Sequence, residues 1–392
     1  LASIFISPFS DEELAPYETS SSPVVDVDQI KNLLTYHRIE AVTEEEAIAQ
    51  FIEQLKAWQV EYKTKLNKEI SLEKLLEEEF FEIINEDGSL TGMIEPRKLV
   101  HVDGDLHRDN RMFFINSRLE VLLQWRDATK DMEPSCWGES AGGHLALGDS
   151  YLTGALREAR EELQVEIDQK RFFRIGLYHD DLRGNKGAWN RSQYERWTYL
   201  INTQEENAMV PDVADGIAGI AFKSLSEARA LAQAQPELFA KSVRGAFQDE
   251  EIYNQLIYSA YLGFYFGGDK ELFEQALKQW QKEYKSLLNK DVTREGLLKT
   301  EFFLVTDSKG NFLKNKKGNN IIRPRDLAHA DGTWHRTAFV LFVNEEGKIL
   351  IAIRGKNEKK MPSARDASAA TNLGLLADDK EAVLKAAEQK LY

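Results

Sequence analysis

Residues 51–68, FIEQLKAWQVEYKTKLNK, return at 273–290 as FEQALKQWQKEYKSLLNK. Phe51, Leu55, Trp58 and Tyr62 fall on Phe273, Leu277, Trp280 and Tyr284, and the pair Phe80-Phe81 falls on Phe302-Phe303. After a small insertion the match resumes, with LVHVDGDLHR at 99–108 answered by LAHADGTWHR at 327–336. From there a constant offset of 228, the step from His107 to His335, carries the alignment to the end. Trp, His and Arg do not stay in register over such a span by chance, so the sequence contains a duplication. That constrains the fold strongly, because both copies must bury a core from the same order of elements.

The shared order reads as follows. Apolar residues at helical spacing predict an amphipathic helix at 45–66 and again at 270–288. A hairpin follows, turning at Asp87-Gly88 in the first copy and at Lys309-Gly310 in the second. Strands come next at 111–115 and 120–125, matched by 337–343 and 348–353, then a glycine-bearing loop and a helix. The first copy continues with strands near 172–178 and 194–201. Strands mixed with helices predict an α/β or α+β layered domain. The predicted divisions are an N-terminal segment 1–44, a helical connector 45–84, a catalytic domain 85–235, a second helical connector 236–300 and an incomplete copy 301–392. Residues 27–33, VDQIKNL, resemble 225–231, LSEARAL. Residues 1–44 are therefore expected to be a module tail, either completing the second copy or belonging to a longer chain.

Composition narrows the function. The 392 residues carry 50 basic and 65 acidic side chains, a net charge of −15, which argues against nucleic acid as a partner. No apolar run reaches the ~18 residues of a membrane helix, so no membrane partner is expected. Cys136 is the only cysteine, which excludes an intrachain disulfide and a cysteine zinc site and fits a cytoplasmic protein. No HExxH pair occurs, so no zinc peptidase of that kind is encoded.

The chemistry lies in Gly142-Gly143, Gly148-Asp149 and the run REAREELQV from Arg157 to Val165. On a helix Glu158, Glu161 and Glu162 stand at i, i+3 and i+4 and share one face. Three carboxylates on one turn repel one another unless a cation joins them. Oxygen donors of this kind suit Mg²⁺ or Mn²⁺, and the glycines let backbone approach a ligand closely.

This stretch resembles the Nudix signature, with Gly143, Arg157, Glu158, Glu161, Glu162 and Val165 at matching positions. Asp149 replaces the first glutamate of the pattern, and Gln164 replaces the glycine after the helix. The resemblance implies an α/β/α sandwich with a mixed sheet, here duplicated and joined by the amphipathic helices. It also implies a metal-dependent pyrophosphohydrolase acting on a small-molecule diphosphate, an isoprenoid diphosphate or a nucleoside diphosphate derivative. Glu158, Glu161 and Glu162 would hold Mg²⁺ or Mn²⁺, with the Gly142 carbonyl as a further ligand. Glu158 or another acid would activate water, and Arg157 would brace the loop through Asp149.

Over about 85–200 the sequence is also similar to the branch that includes isopentenyl-diphosphate isomerase. The carriers are Arg97, His101, His107, Arg108 and the stretch 137–150. That likeness implies metal ligation by His144 and Glu195, and by His101 and His107 unless these two serve the fold. Gly142 stands where the isomerase has its cysteine, with Cys136 six residues early, so hydrolysis is favoured over double-bond migration. Arg126 and Lys130 are candidate diphosphate ligands, and Trp137 and Trp197 candidate substrate contacts. Trp58 and Trp280 are expected in the core.

At the offset of 228, Gly142 and Gly143 become Ala370 and Thr371, and Glu158, Glu161 and Glu162 become Ala386, Gln389 and Lys390. The second copy is therefore expected to be catalytically silent, serving as scaffold, regulator or interface, through a homodimer or pairing of the two modules. The alternatives to hydrolysis are an isomerase-like enzyme and a Nudix-fold binding protein without turnover.

Overall fold

The computed structural model describes residues 26–130, 132–164, 166–184, 187–211, 216–340, 343–349, 351–353, 365–366 and 369–372. The first unit comprises α1 (Val27–Leu34), α2 (Glu44–Leu66), α3 (Leu72–Leu76), the hairpin β1 (Phe80–Ile84) and β2 (Leu90–Pro96), and α4 (Arg97–Asp103). Local chemistry sets the ends of α2. The Thr43 side chain accepts from Glu46 N–H, three glutamates occupy the first turn, and Asn67 closes the helix in the left-handed conformation. Phe51, Leu55, Trp58 and Tyr62 form its buried stripe, packed with Ile30 and Leu33 of α1 and with Leu72, Leu75 and Phe80. The described part of the 1–44 segment thus packs on the first unit. The hairpin pairs Phe80 with Pro96 and Ile84 with Leu90 as a sheet of its own. The expected domain boundary at 85 therefore falls inside this hairpin.

The central domain follows with β3 (Leu106–Ile115), β4 (Glu120–Arg126), β5 (Trp137–Gly138), β6 (Ala141–His144), α5 (Tyr151–Leu163), β7 (Phe172–Arg183), β8 (Trp189–Leu200), α6 (Thr203–Ala208), β9 (Ile217–Ser224) and α7 (Leu225–Ala234). Its sheet has seven strands in the order β5-β4-β3-β8-β7, with β6 added to β3 and β9 to β4. Only β3 and β8 run parallel, so the sheet is mixed. Ala155, Ala159 and Leu163 of α5 cover one face with Met112, Phe114 and Trp197.

The other face is covered by α7, α8 (Lys241–Gln248) and α9 (Glu250–Phe266). The second unit then begins with α10 (Lys270–Leu288), α11 (Arg294–Leu298), β10 (Phe302–Leu304), β11 (Ile322–Pro324) and α12 (Arg325–Asp331). One core runs from Phe113 and Leu200 of the sheet through Leu256 and Tyr261 of α9 to Phe273, Trp280 and Phe302. The architecture is α+β, a mixed sheet followed by a helical region.

From α2 to α4 the elements of the first copy recur in the same order from α10 to α12. Helix α10 ends at left-handed Asn289 as α2 ends at Asn67. Both α4 and α12 follow a proline and end at a glycine with φ 75°. The hairpin pair Phe302↔Pro324 repeats Phe80↔Pro96. Between β10 and β11 the chain makes two turns, closing at Gly310 and Gly318. The sequence motif predicts only the first. The second absorbs the insertion and leaves β10 paired with β11 as β1 is paired with β2.

Beyond α12 come β12 (Thr337–Val340), β13 (Ala352–Ile353), β14 (Arg365–Asp366) and β15 (Ala369–Asn372), paired two by two. Their registers, Ala338↔Thr371 and Ala352↔Asp366, are those of Asn110↔Gly143 and Gln124↔Gly138 displaced by 228. Among the described residues they do not join into a second seven-stranded sheet. Ala386, Gln389 and Lys390 lie outside the described residues. No described helix is long and apolar enough to cross a membrane.

Candidate functional site

Strand β6 lays the glycine pair along β3, with Gly142 opposite Arg111 and Gly143 opposite Asn110. Both glycines answer a steric demand. A Cβ on Gly142 would stand 2.6 Å from the Asn110 carbonyl oxygen, and one on Gly143 would stand 2.4 Å from Glu158 Oε2. The loop then turns into α5 through Ser150, whose hydroxyl accepts from Thr153 N–H.

Arg157 holds this loop on α5. Its Nε donates to Asp149 Oδ2 at 3.2 Å and its Nη2 to the His144 carbonyl at 2.9 Å. Its Nη1 faces Glu158 at 2.8 Å and Glu161 at 2.9 Å. Asp149, although shorter than glutamate, thus reaches the arginine. The three glutamates share a helical turn but not an environment. Glu161 is the outermost, with its side chain 58% exposed. Burial pushes the Glu158 carboxyl up to about 7, against the pull of Arg157. Glu162 is turned inward, where its Oε2 accepts from Gly142 N–H at 2.9 Å and from the Gln124 amide at 3.1 Å. Their donor atoms do not all meet within 4.8 Å, because Arg157 draws two outward while Gly142 and Gln124 hold the third.

Beside them His101, His107 and His144 bring one ring nitrogen each to within 4.8 Å of the others. His144 therefore groups with histidines and not with the glutamates. The Phe81 ring stacks on His144 at 4.5 Å and on His107 at 5.0 Å. His107 Nδ1 meets the Asp105 carbonyl at 2.9 Å, and His335 repeats this with Thr333 at 3.0 Å. This is a fold-building contact that recurs where the acidic turn does not. Burial pushes His101 down to about 3 and His107 to about 4, and drives His144 well below the usual range.

In an unfolded chain imidazoles protonate near pH 6.5, so between pH 6.5 and 5 the unfolded state binds more protons than the folded one. Stability in the presence of a chelator is therefore expected to fall as pH drops through that window. The urea midpoint of His101→Gln should change less with pH than that of the wild type. Equal pH dependence would contradict the buried neutral histidines.

The remaining candidates lie in differing surroundings. Trp197 lies in the core, packed on Phe172, with its N–H 3.3 Å from Asn110 Oδ1, so it is not at a substrate surface. Arg126 donates to the Glu133 and Met132 carbonyls, which spends its guanidinium on its own loop. Lys130 lies against Gly216. Trp137 is half-buried, edge-on to Trp125 at 5.0 Å. Glu195 is bound by Arg174 Nε at 2.6 Å and belongs to none of the groups of three donors. Trp58 and Trp280 are buried, as their repeated helices require. Val165 lies outside the described residues.

Sequence reasoning missed Phe81 and Glu82. Glu82 Oε2 accepts from Arg108 at 2.5 Å and from Gly148 N–H at 3.4 Å, so the hairpin of the first unit grips the glycine loop. The copy carries Leu304 at the position of Glu82, a difference the repeat itself displays.

Gln164, which replaces the expected glycine, keeps the left-handed turn at φ 55°, and its N–H closes on the Arg160 carbonyl. A side chain there costs on the order of 1 kcal/mol. Gln164→Gly is therefore expected to raise the melting temperature by about 2–4 °C. A lower value would show that the turn is held by the side chain.

Residues 105–242 match the family model described as the NUDIX domain. Nudix hydrolase 3 of Arabidopsis thaliana is 34% identical over 125 residues, which is 32% of this chain and 16% of that protein. The isopentenyl-diphosphate Delta-isomerase of Nocardia farcinica is 27% identical over 158 residues, 40% of this chain and 86% of that enzyme. A crystal structure from Deinococcus radiodurans aligns with 18% identity over 43% of this chain and 98% of its own, at a TM-score of 0.35. Residues 105–242 are thus a single Nudix domain with distant, partial likeness to the isomerases. The match covers no second such domain, and among the described residues no second Nudix fold is evident.

Proposed function

We propose that this domain hydrolyses a diphosphate linkage with the aid of Mg²⁺ or Mn²⁺, in an isoprenoid diphosphate or a nucleoside diphosphate derivative. The observation that carries the reading is the Arg157 network, which ties α5, Asp149 and the glycine loop into one unit around Glu158 and Glu161. The donors suit such an ion in kind, although their atoms do not all lie within 4.8 Å of one another here. They are carboxylates on one helical turn, and Gly143 leaves room for Glu158 where any side chain would fill it. Glu158, Glu161 and Glu162 would hold the ion, with the Gly142 carbonyl beside them. A bound divalent ion neutralises charge on the phosphate oxygens. Arg157 fixes the loop, Glu162 orients the Gly142 peptide through its N–H, and Glu158 takes the proton of the attacking water. Arg97, which donates to Glu79 at 2.8 Å and whose charge acts on all three histidines, and Lys130 would be candidate cations for the diphosphate. Phosphate release from a panel of diphosphates, with and without a chelator, tests this. Release that survives chelation would refute it.

The histidine group favours a second reading, an isomerase-like enzyme with metal at His101, His107 and His144. Against it, Gly142 supplies no thiol, and Cys136 is buried, with its thiol pushed up to about 11 by burial and directed at the Glu133 carbonyl. Deuterium uptake into isopentenyl diphosphate separates the two. A binding protein without turnover is the third reading, and the panel decides it. The displaced registers of β12–β15 support residues 301–392 as an incomplete, catalytically silent copy. Its role would be as a scaffold, in regulation or in pairing of modules or chains.

A further inference from the structure

The glycine loop is held from two sides, and only one of them belongs to its own domain. On the inner side Arg157 binds Asp149 and the His144 carbonyl, and Ala146 N–H donates to Asp149 Oδ2 at 3.2 Å. On the outer side the loop meets the first unit. Leu147 packs against the core formed by α1 and α2. Gly148, at φ 79°, lies so close to Tyr36 that a Cβ would stand 2.9 Å from the phenol oxygen. Its N–H donates to Glu82 Oε2 at 3.4 Å. The same oxygen accepts from Arg108 Nη2 at 2.5 Å, and the Arg108 carbonyl accepts from Leu145 N–H at 3.1 Å. Glu82 and Arg108 have side chains only 10% and 15% exposed. One mostly buried ion pair therefore touches the loop at Leu145 and again at Gly148.

The duplication supplies a control for what the fold itself needs. Strand β10 pairs Leu304 with Ile322 in the register in which β1 pairs Glu82 with Ile94. Leu304 is buried, so an apolar side chain fills the place without a change of strand or register. The arginine is kept as Arg336, but its Nε and Nη2 donate to the Gly310 carbonyl in the turn of its own hairpin, at 3.2 and 2.9 Å. Contacts that build the unit survive. Phe303 stacks on His335 as Phe81 does on His107, and Arg325 N–H closes on the Glu301 carbonyl as Arg97 N–H does on Glu79. What disappears together with Glu82 is the loop it serves, since Gly148, Asp149 and Glu158 become Leu376, Ala377 and Ala386. A carboxylate is also a poor choice for mere packing. Arg108 Nε stays buried without a partner, and apolar residues of similar volume are often at least as stabilising as a buried ion pair.

We propose that Glu82 is a positioning residue of the reaction centre, holding the Gly148 end of the loop so that Asp149, Arg157 and Glu158 stay aligned, and that the hairpin of the first unit is thereby part of the site. Glu82 acts through the loop and touches no reacting atom. The connection is short. Gly148 adjoins Asp149, which accepts from Arg157 Nε, and Arg157 Nη1 lies 2.8 Å from Glu158. A misplacement of about 1 Å at the reacting groups is enough to cost on the order of 100-fold in rate. The inference rests on the hydrolase reading for the ion and the reaction, and it extends that site beyond residues 105–242.

The test compares Glu82→Leu, the residue of the second copy, with Glu82→Gln, whose amide oxygen can still accept from Gly148 N–H and from Arg108. The full chain is used, with ATP and isopentenyl diphosphate as probes and Mg²⁺ varied. Release of phosphate or diphosphate gives kcat and KM, electron paramagnetic resonance of Mn²⁺ gives ion affinity, and thermal melts check folding. Glu82→Leu is expected to melt within a few degrees of the wild type, to lower kcat at least about tenfold with KM within about twofold, and to weaken Mn²⁺ binding several-fold. Glu82→Gln should bring kcat back to within about threefold of the wild type. Glu82→Met, which keeps the length of the side chain, replaces the leucine variant if that one does not fold. A folded leucine or methionine variant with wild-type kcat and Mn²⁺ affinity overturns the proposal and leaves the hydrolase reading intact. Losses as large in Glu82→Gln as in Glu82→Leu do the same. No release by the wild type, with Mn²⁺ binding that falls in Glu82→Leu and returns in Glu82→Gln, removes the hydrolase reading and upholds the positioning role. Absence of both release and Mn²⁺ binding in the wild type overturns the two together.

Discussion

The double variant Glu161→Gln/Glu162→Gln is expected to lose metal-dependent phosphate release by a factor on the order of 100 or more while remaining folded. Two negative charges disappear from the turn that is proposed to hold the ion, and amide oxygens are poor substitutes for carboxylates. Glu161 is largely exposed, so its replacement costs little stability. Glu162 is buried, but glutamine keeps an oxygen that can accept from Gly142 N–H, so the loop retains its tie to α5. Circular dichroism and a urea melt should overlay the wild type. Release within threefold of wild type would take these residues out of the metal site and leave the histidine group as the alternative centre.

Gly143→Ala is expected to leave the fold intact and to reduce turnover about 100-fold. The added methyl would sit 2.4 Å from Glu158 Oε2, the free end of a flexible side chain, so the carboxylate moves and the backbone does not. Gly142→Ala provides the contrast. Its methyl would meet the Asn110 carbonyl of β3 at 2.6 Å, and a strand backbone cannot yield. That variant should lose stability as well as activity. Melting temperatures measured beside kcat for both distinguish the cases. A Gly143→Ala enzyme of full activity would mean that the position of Glu158 does not matter.

Much of the site was legible because its parts are local in sequence. The spacing of Glu158, Glu161 and Glu162 fixes a common helical face before any tertiary contact is made, and Arg157 can reach Asp149 because both lie in one loop and helix. The contacts with Phe81 and Glu82 were not legible. They join a hairpin at 80–96 to a loop at 142–149 across the sheet, and a phenylalanine and a glutamate in a strand have an ordinary packing or solvent-facing role unless the partner is known. Trp197 went the other way. Nothing in its neighbours distinguishes an aromatic lining a pocket from one packed under α5, and only the pairing of β8 with β3 places it in the core.

The duplication shows where the division falls. Periodicity and capping residues alone settle that α2 and α10 form, where they end and which stripe each buries, because these are decided by interactions within a few residues. The order of elements, the acidic turn and its loss in the second copy are likewise properties of the linear chain. The resemblance already named His101, His107 and His144, but only the tertiary structure brings their ring nitrogens within 4.8 Å of one another, and only there do the buried charges beneath α8 meet. These residues come from strands and helices far apart in sequence, brought together by the parallel pairing of β3 with β8 and the antiparallel pairing of β3 with β6. Sheet register is a long-range choice made by the packing of whole faces, so which charges meet, and which are left without a partner, was decided by the tertiary structure.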